Sequence, residues 1–336
     1  MTLRHYSGRM SSFSALPYWE RVDVSHWQII APEQSGTHET TWIANPSGRG
    51  EETANWLHKN TTVNEHFEQG EDWAEVIASR VGAELGVPLA ETRLCLRDGR
   101  RGSLSRDVRQ AQYDLVGGHL ALEDCRSVTD YFPHFEREPA VDPNRPDVRR
   151  PGHSLSNIRR ALADCEPPPE FSGPVEMDAF DVFAGYLLFD ALVANRDRHE
   201  ENWSVLRPRL RDRSPLLCPS YDHSSSLGFA ETPEKLRRRS EGAALRSWAE
   251  KGTAWRFEHM KKPLSLVALA GDALRISSPA ARVHWTERLD AMQLTPVTDP
   301  IEQGLIPEMS EPTITFVIAL LTLNLERTRH ELGQRL

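Results

Sequence analysis

The stretch that decides the fold lies past the middle of the chain, where residues 194–203 read ANRDRHEENW and residues 219–223 read PSYDH. Four residues separate Asp197 from Asn202, and Asp222 follows after a further short segment. Phosphoryl transfer from ATP uses such a set: one Asp orients the attacking hydroxyl and takes its proton, while an Asn and a second Asp bind magnesium. The spacing therefore predicts Asp197 as the base and Asn202 and Asp222 as metal ligands.

The elements around this stretch favour the same interpretation. Residues 176–194 are strongly apolar and predict a buried helix, and short strands are expected at 203–206 and 216–219. A helix, a loop, two strands and then an Asp is the order that the larger lobe of a kinase requires. The Asp-x-x-x-x-Asn spacing alone would fit any polar loop. Further helices are predicted at 154–165, 232–239, 241–250, 263–275, 279–292 and 311–332.

The first half of the chain has the pattern of a small β-rich unit with one helix. The helix is expected at 73–85, and Asp98-Gly99 is a strong signal for a hairpin turn. Strands are predicted at 27–31, 41–45, 53–59, 89–96 and 102–108.

This half also offers the remaining parts of a phosphoryl-transfer site, which are a phosphate loop, a strand lysine and a helix glutamate. Ser35, Gly36 and Thr37 lie in the turn between the first two predicted strands, where we expect them to bind phosphates. Lys59 ends the third strand and is the only lysine in the first 234 residues, and Glu75 lies on the helix that follows. We expect Lys59 and Glu75 to take part in catalysis.

Composition narrows the function classes. The net charge of -9 argues against direct nucleic-acid binding as the main activity. The most apolar segment, residues 314–325, is too short to cross a membrane, and no apolar stretch follows the start of the chain. We therefore expect a cytoplasmic protein with no membrane partner. The four scattered cysteines do not form Cys-x-x-Cys pairs, so neither a disulfide framework nor a zinc knuckle is expected.

These motifs resemble those of the HipA-like serine/threonine kinases, whose C-terminal motif runs alAN-x-DRH-xx-N-W and then P-x-YDH-x-SSLG. This chain has LVANRDRHEENW at 192–203 and PSYDHSSSLG at 219–228. In its first half, Gly36-Thr37 with Trp42, WLHK at 56–59 and WAE at 73–75 are similar to the same family's motifs. The resemblance covers roughly residues 27–230.

The resemblance implies an α+β, two-lobed protein-kinase-like fold, with a small β-rich N-lobe and a larger, mostly helical C-lobe. It places an N-terminal extension at 1–26, the N-lobe at 27–108 and the C-lobe at 109–336. Within the C-lobe, the catalytic loop is expected at 195–203 and the metal-binding Asp segment at 219–228.

The resemblance also implies residue roles. Lys59 would hold the α- and β-phosphates of ATP, and Glu75 would hold Lys59. The last N-lobe strand would end in the hinge facing adenine, formed by Leu104, Ser105 and Val108. The family is known for phosphorylating a serine of the phosphate loop, so autophosphorylation at Ser35 or Thr37 is expected.

The leading hypothesis is an ATP- and Mg²⁺-dependent kinase that phosphorylates a Ser or Thr hydroxyl of a protein and is toxin-like. An antitoxin is a candidate partner, although longer toxin kinases carry an extra segment ahead of the core that helps to bind it. Two alternatives remain open. A small-molecule or phosphoinositide-like kinase would share the Asp197 spacing, but aminoglycoside-type kinases have His where Asn195 stands here. A nucleotide-binding pseudokinase is disfavoured because all five polar site residues are present.

Overall fold

A computed structural model describes residues 18–32, 40–45, 55–64, 67–134, 140–210 and 212–335. The expected phosphate loop, with Ser35, Gly36 and Thr37, lies outside the described residues.

The N-terminal half forms a six-stranded sheet in the order β1-β5-β6-β4-β3-β2. Neighbouring strands are antiparallel, except that β1 runs parallel to β5. Asp98 and Gly99 both have positive φ in the turn between β5 and β6, as the hairpin signal predicts. β1 falls within residues 1–26, so this part of the expected extension is a strand of the sheet. The strands are β1 (Val22–Asp23), β2 (Gln28–Pro32), β3 (Thr40–Ala44), β4 (Asn55–Asn60), β5 (Thr92–Arg97) and β6 (Arg100–Arg106).

Alternation along β4 divides the sheet into two faces. Trp56 and His58 are buried on one face, where Leu104 is the register partner of His58. Lys59 points to the other face, where Ser103 is its register partner. The first face carries an apolar cluster of Val24, Trp27, Ile43, Trp56, Cys95 and Leu104.

One helix, α1 (Glu71–Leu85), connects β4 to β5 and buries its apolar residues against the sheet and the central helix of the C-terminal half. It ends at Gly86, which has φ 89 and is therefore in the left-handed region that glycine adopts readily. Arg288 donates to the carbonyl oxygens of Glu84 and Leu85, both at 2.8 Å. These bonds satisfy helix-end carbonyls from a residue about 200 positions away.

The second half is mostly helical and carries a small sheet in the order β7-β8-β9. The strands are β7 (Tyr113–Gly117), β8 (Ser204–Pro208) and β9 (Leu216–Leu217). The helices are α2 (Gly118–Asp124), α3 (Leu155–Ala161), α4 (Ala179–Val193), α5 (Pro233–Arg237), α6 (Gly242–Glu250), α7 (Leu266–Ile276), α8 (Pro279–Ala291), α9 (Thr295–Glu302) and α10 (Glu311–Arg335).

Three of these elements were not expected from the sequence, namely β7, α2 and α9. β7 is a five-residue segment whose partner is β8, so its ladder depends on a pairing that lies far along the chain. α9 contains Pro296 in its first turn and Pro300 inside it, and prolines argue against a helix in a sequence pattern.

Helix α4 is the centre of the C-terminal half, and all of its residues are buried. Asp178 and Asp181 form a capping box at its start. Gly185 lets Trp285 approach closely, because a Cβ at this position would lie 2.2 Å from the indole ring. At the end of α4, the side-chain amide of Asn324 on α10 donates to the carbonyl oxygen of Leu192 at 3.0 Å. The expected buried central helix is therefore confirmed.

Arg21, which immediately precedes β1, connects distant parts of the chain. Its Nη2 donates to Asp72 on α1 at 2.8 Å, and its Nε donates to Glu308 at 2.9 Å. Its Nη1 donates to the carbonyl oxygen of Cys95 on β5 at 2.8 Å. One guanidinium thus joins the first strand, the helix of the N-terminal half and the segment before α10. Among the described residues, no helix is both long and apolar enough to span a bilayer.

Candidate active site

The loop after α4 is held in shape by a buried ion pair. Arg198 donates through Nε and Nη2 to the two carboxylate oxygens of Asp190, both at 2.8 Å, and each side chain is 2% exposed. The amide of Asn195 also donates to Asp190 at 2.8 Å, and Arg198 Nη1 donates to the carbonyl oxygen of Asn202 at 2.7 Å. The pair therefore fixes both ends of the loop that carries Asp197.

Asp197 lies near the surface of this loop, with its side chain 28% exposed. Its Oδ1 accepts from Nε of Arg256 at 2.7 Å, and its Oδ2 accepts from the hydroxyl of Ser225 at 3.4 Å. The main-chain oxygen of Asp197 accepts from the side-chain amide of Asn202 at 2.8 Å. The carboxylate is thus presented to solvent on a loop whose backbone is constrained, as a general base requires.

Asp222 and Lys59 meet although they lie on different halves of the chain. Nζ of Lys59 is 3.4 Å from Oδ1 of Asp222 and 3.0 Å from the hydroxyl oxygen of Ser224. The Ser224 hydroxyl also contacts Asp222 at 3.0 Å, while the next residue, Ser225, contacts Asp197. Consecutive serines therefore connect the two carboxylates. Asp222 has φ 55, so its own backbone is in the left-handed region that non-glycine residues rarely adopt.

Glu75 binds the Asp222 segment rather than Lys59. Its buried carboxylate accepts from the backbone N–H of His223 at 2.6 Å, and its Oε1 lies 3.3 Å from Nδ1 of the same histidine. Within the described part of the chain, the ion pair of Lys59 is with Asp222. The family resemblance implies a direct Glu75–Lys59 contact; here Oε2 of Glu75 binds the backbone of His223, and Glu75 acts on Lys59 through its charge.

The charges of the site depend on one another. Burial disfavours ionisation of Asp222, but the positive charge of Lys59 and the hydrogen bond from Ser224 outweigh it and lower the pKa to about 2. Burial likewise disfavours the charge of Lys59, yet Asp222 and Glu75 raise its pKa above the usual value. Burial lowers the pKa of His199 to about 4, despite the opposing effect of Asp197, so this imidazole is neutral at pH 7.

The donor set fits a magnesium ion that is shared with phosphates. The amide nitrogen of Asn202 is bonded to the Asp197 backbone, which leaves its side-chain oxygen for a cation, and the Asp222 side chain is 42% exposed. Among the described residues, no three His, Cys, Asp or Glu side chains cluster as a metal site. Magnesium commonly binds through one or two protein oxygens and takes its other ligands from water and substrate phosphates.

The expected hinge residues occupy three different environments. Leu104 is fully buried in the apolar cluster and lies on the opposite face of the sheet from Lys59. Ser105 is on the same face as Lys59, and Val108 packs against the cluster around β7 and β8. Because the faces alternate along β6, the Leu104 side chain cannot line the Lys59 face, so the hinge role of Leu104 stays a prediction that only its backbone could fulfil.

The sequence interpretation missed four residues that shape the site: Asp190, Ser224, Ser225 and Arg256. A carboxylate within the apolar helix α4 was a usable signal for Asp190, because an unpaired buried charge is very costly. Arg256 carried no comparable signal, since it lies in a segment without helical or strand periodicity far from Asp197.

Comparisons with known proteins bear on the family and the fold of the chain. A model of the HipA-like C-terminal domain matches residues 21–291. The Helicobacter pylori proinflammatory kinase CtkA superposes with a TM-score of 0.68 at 15% identity, over 94% of this chain and 98% of CtkA. Shewanella oneidensis MR-1 HipA, in a complex with HipB and operator DNA, gives 0.51 at 16% identity, over 92% of this chain and 67% of HipA.

A search of curated protein sequences gives no match. At such low identities, the two solved structures establish a shared α+β kinase fold and no more. The family model goes further, because it matches most of the chain. The chain therefore belongs to the HipA-like C-terminal domain family.

Proposed function

We propose that this protein is an ATP- and Mg²⁺-dependent kinase that phosphorylates Ser or Thr hydroxyls of a protein. The observation that carries the proposal is the convergence of Lys59, Asp222 and Asp197 through Ser224 and Ser225. A cation for phosphates, an acidic metal ligand and an exposed carboxylate base are the groups that phosphoryl transfer requires from the protein.

Each side chain has a distinct role in this proposal. When bound, magnesium-ATP supplies the transferable phosphoryl group and the metal charge that neutralises the phosphates. Lys59, kept charged by its acidic neighbours, binds phosphate oxygens. Asp222 and the side-chain oxygen of Asn202 hold the metal, and Asp222 remains ionised because its pKa is about 2. Asp197 orients the acceptor hydroxyl and accepts its proton.

Glu75 acts through the backbone in this proposal. By accepting from the N–H of His223, it holds the residue next to Asp222 and so maintains the direction of the metal ligand. Ser105, on the same face of the sheet as Lys59, and the segment around Val108 border the adenine side.

A radiolabel transfer assay tests the proposal. The purified protein is incubated with Mg²⁺ and γ-labelled ATP, alone and with a soluble bacterial lysate, and labelled proteins are identified by mass spectrometry. Wild type should label Ser or Thr residues, and Asp197→Asn should reduce the rate by roughly 10²–10⁴-fold. Asp164→Asn serves as the matched control, because Asp164 is exposed and lies outside the site. Equal labelling by wild type and Asp197→Asn would refute the proposal.

A toxin-like role with a protein partner forms the second part of the proposal. Its support is the family membership and the S. oneidensis HipA structure, in which that HipA is complexed with HipB and DNA. We expect a cytoplasmic antitoxin-type protein to bind this chain, and DNA contact to be made by that partner. Expression of the wild type should arrest growth, Asp197→Asn should not, and co-expression of the cognate partner should restore growth. Arrest by both forms would refute a kinase-based toxin.

A further inference from the structure

Arg256 occupies the position next to Asp197 from a distant part of the chain. It lies between α6 and α7, and its Nε and Nη2 approach Oδ1 of Asp197 at 2.7 and 2.5 Å. Its side chain is 23% exposed, so part of this side chain is open to solvent. The carboxylate that binds Arg256 is therefore that of Asp197, the candidate base, at the point where an acceptor hydroxyl would approach.

Trp255 forms an aromatic platform beside this arginine. The guanidinium carbon of Arg256 is 3.9 Å from the centroid of the Trp255 ring, and that of Arg150 is 5.4 Å from it. The indole is 37% exposed, which is unusual for so large an apolar side chain. Two guanidinium groups are thus held near one aromatic surface by cation–π attraction, close to the candidate base.

Arg150 is a largely buried cation whose one ion pair is long. Its side chain is 7% exposed, and the nearest acidic atom is Oε2 of Glu200 at 3.8 Å. Among the described residues, Oε2 of Glu200 is buried without a hydrogen-bond partner, whereas no nitrogen of Arg150 belongs to the atoms that are both fully buried and unpartnered. Burial therefore lowers the pKa of Arg150, although the residue remains charged at neutral pH. Since its ion pair with Glu200 is long and its other contact is with the Trp255 ring, this guanidinium retains donors for an anion.

The segments that carry the two arginines are fixed to each other. Arg149 and His259 exchange backbone hydrogen bonds at 2.8 and 3.1 Å, and the N–H of Glu258 donates to the carbonyl oxygen of His153 at 2.8 Å. Glu258 also accepts from the backbone N–H of Gly152 at 2.6 Å. Arg150 has φ 54, a conformation that persists only where surrounding contacts impose it. The arrangement of the two guanidinium groups is therefore built in advance.

His153 connects this unit to the candidate active site. Its Nδ1 lies 2.7 Å from the carbonyl oxygen of Arg256, and its Nε2 accepts from the indole N–H of Trp203 at 3.2 Å. These two bonds require a neutral ring with the proton on Nδ1. Trp203 directly follows Asn202, so the two bonds of His153 connect the arginine-bearing segment to the loop that carries Asp197.

We propose that Arg150, Trp255 and Arg256 bind an oxyanion of the protein acceptor, a carboxylate or a phosphate, close to the hydroxyl that Asp197 receives. This inference rests on the proposed kinase function and specifies its substrate class. The incoming oxyanion takes the place of the Asp197 carboxylate on Arg256 and adds acceptors for Arg150. Asp197 is then released to contact the hydroxyl, so an acidic acceptor is favoured over a neutral one.

Titration with inorganic phosphate tests the anion site without relying on catalysis. Calorimetry on the full chain should show phosphate binding that weakens by roughly tenfold in Arg150→Gln and in Arg256→Gln. Arg149→Gln is the matched control, because Arg149 is adjacent but exposed, and it should retain wild-type affinity. Lys59→Met distinguishes the two sites, since a phosphate bound by Lys59 would lie in the nucleotide site.

Three results of this titration would overturn the anion site. One is the absence of phosphate binding by wild type, and another is unchanged affinity in both arginine variants. The third is loss of affinity in Lys59→Met alone, which would place the phosphate in the nucleotide site. Thermal unfolding checks that each variant is folded. If Arg150→Gln is unfolded, Arg150→Lys, which preserves the charge, takes its place in the titration.

Peptide phosphorylation tests the choice of acceptor. Serine peptides with Asp, Glu, phosphoserine or a neutral residue at each flanking position are compared as acceptors. Wild type should prefer an acidic residue by roughly tenfold, and Arg150→Gln should lose the preference while Arg149→Gln keeps it. Comparison of Asp and Glu with phosphoserine identifies the kind of oxyanion.

The failures of the two proposals are distinguishable. Phosphoryl transfer to peptides without any preference for acidic residues would contradict the inference and would support the kinase function. Absence of transfer to every peptide and to lysate proteins counts against the kinase function itself, and the phosphate titration then still decides whether the anion site exists.

Discussion

Nζ of Lys59 lies 3.4 Å from Oδ1 of Asp222, a contact between residues that are 163 positions apart. Their side chains are 19% and 42% exposed, so the pair is only partly buried and its contribution to stability is modest. The pair therefore matters for the placement of charge, because it brings a cation and a metal-binding carboxylate to one point.

Replacement of Lys59 should separate function from stability. Lys59→Met should weaken magnesium-ATP binding and slow phosphoryl transfer far more than Lys235→Met, while unfolding free energies change by only about 1 kcal/mol. Lys235 is a suitable control because it is 59% exposed and makes a long ion pair with Glu231 at 3.9 Å. Calorimetric titration and chemical denaturation measure the two effects. Equal losses of ATP affinity in both variants would remove Lys59 from the site.

Loss of the Asp190–Arg198 ion pair, unlike loss of Lys59, should strongly reduce stability. Arg198→Leu leaves a buried carboxylate unpaired and should lower the free energy of unfolding by about 3–5 kcal/mol. Arg207→Leu breaks the exposed pair with Asp124, whose members are 50% and 57% exposed, and should cost less than about 1 kcal/mol. Urea denaturation compares the two variants. Similar losses in both would contradict a structural role for the buried pair.

His58 predicts a pH dependence of stability. Burial, together with Arg97 and Arg100, lowers its pKa from 6.5 to about 4, and its Nε2 has no hydrogen-bond partner among the described residues. Between pH 6.5 and 4 the unfolded chain therefore binds a proton that the folded chain does not, so stability falls as the pH is lowered. The loss attributable to His58 is at most roughly 3 kcal/mol.

His58→Gln should reduce this loss. The measurement is denaturant unfolding of both proteins from pH 7 to pH 4, with His26→Gln as a control, because His26 is exposed. A pH dependence that is the same in wild type and His58→Gln would show that other groups cause it.

Autophosphorylation at Ser35 or Thr37 remains a prediction from the family resemblance. A phosphate adds about -1.5 to -2 charges and, in a phosphate-binding loop, should repel ATP. Wild type incubated with magnesium-ATP should acquire phosphate at one of these residues, whereas Asp197→Asn should not, as judged by mass spectrometry. If an enzyme that labels other proteins leaves both hydroxyls unmodified, the regulatory prediction fails.

The sequence was most informative where chemistry depends on short spacings. Asp197 and Asn202 share one loop, and Asp222 follows the next two strands, so local motifs were sufficient to bring them to one site. The central helix α4 and the β5–β6 hairpin were predicted for a similar reason, because apolar runs and Asp-Gly turns are local signals.

Features that depend on contacts between distant segments were not predictable in this way. Arg256 binds Asp197, which is 59 positions away in the sequence, and Glu75 accepts from the backbone of His223, which is 148 positions away. The orientation of Leu104 depends on the register of β6 against β4, and a shift of one residue exchanges the two faces.

The bonds of Arg21 have a consequence for synthesis on the ribosome. Its contact with Glu308 spans 287 positions, and Arg288 reaches back to the end of α1 across more than 200. Neither bond can form until most of the chain has been translated, so the N-terminal sheet and α1 emerge well before the residues that bind Arg21 and the end of α1. Because contacts between distant segments slow folding, we expect the N-terminal half to wait for these bonds during synthesis, a stage at which molecular chaperones can bind it.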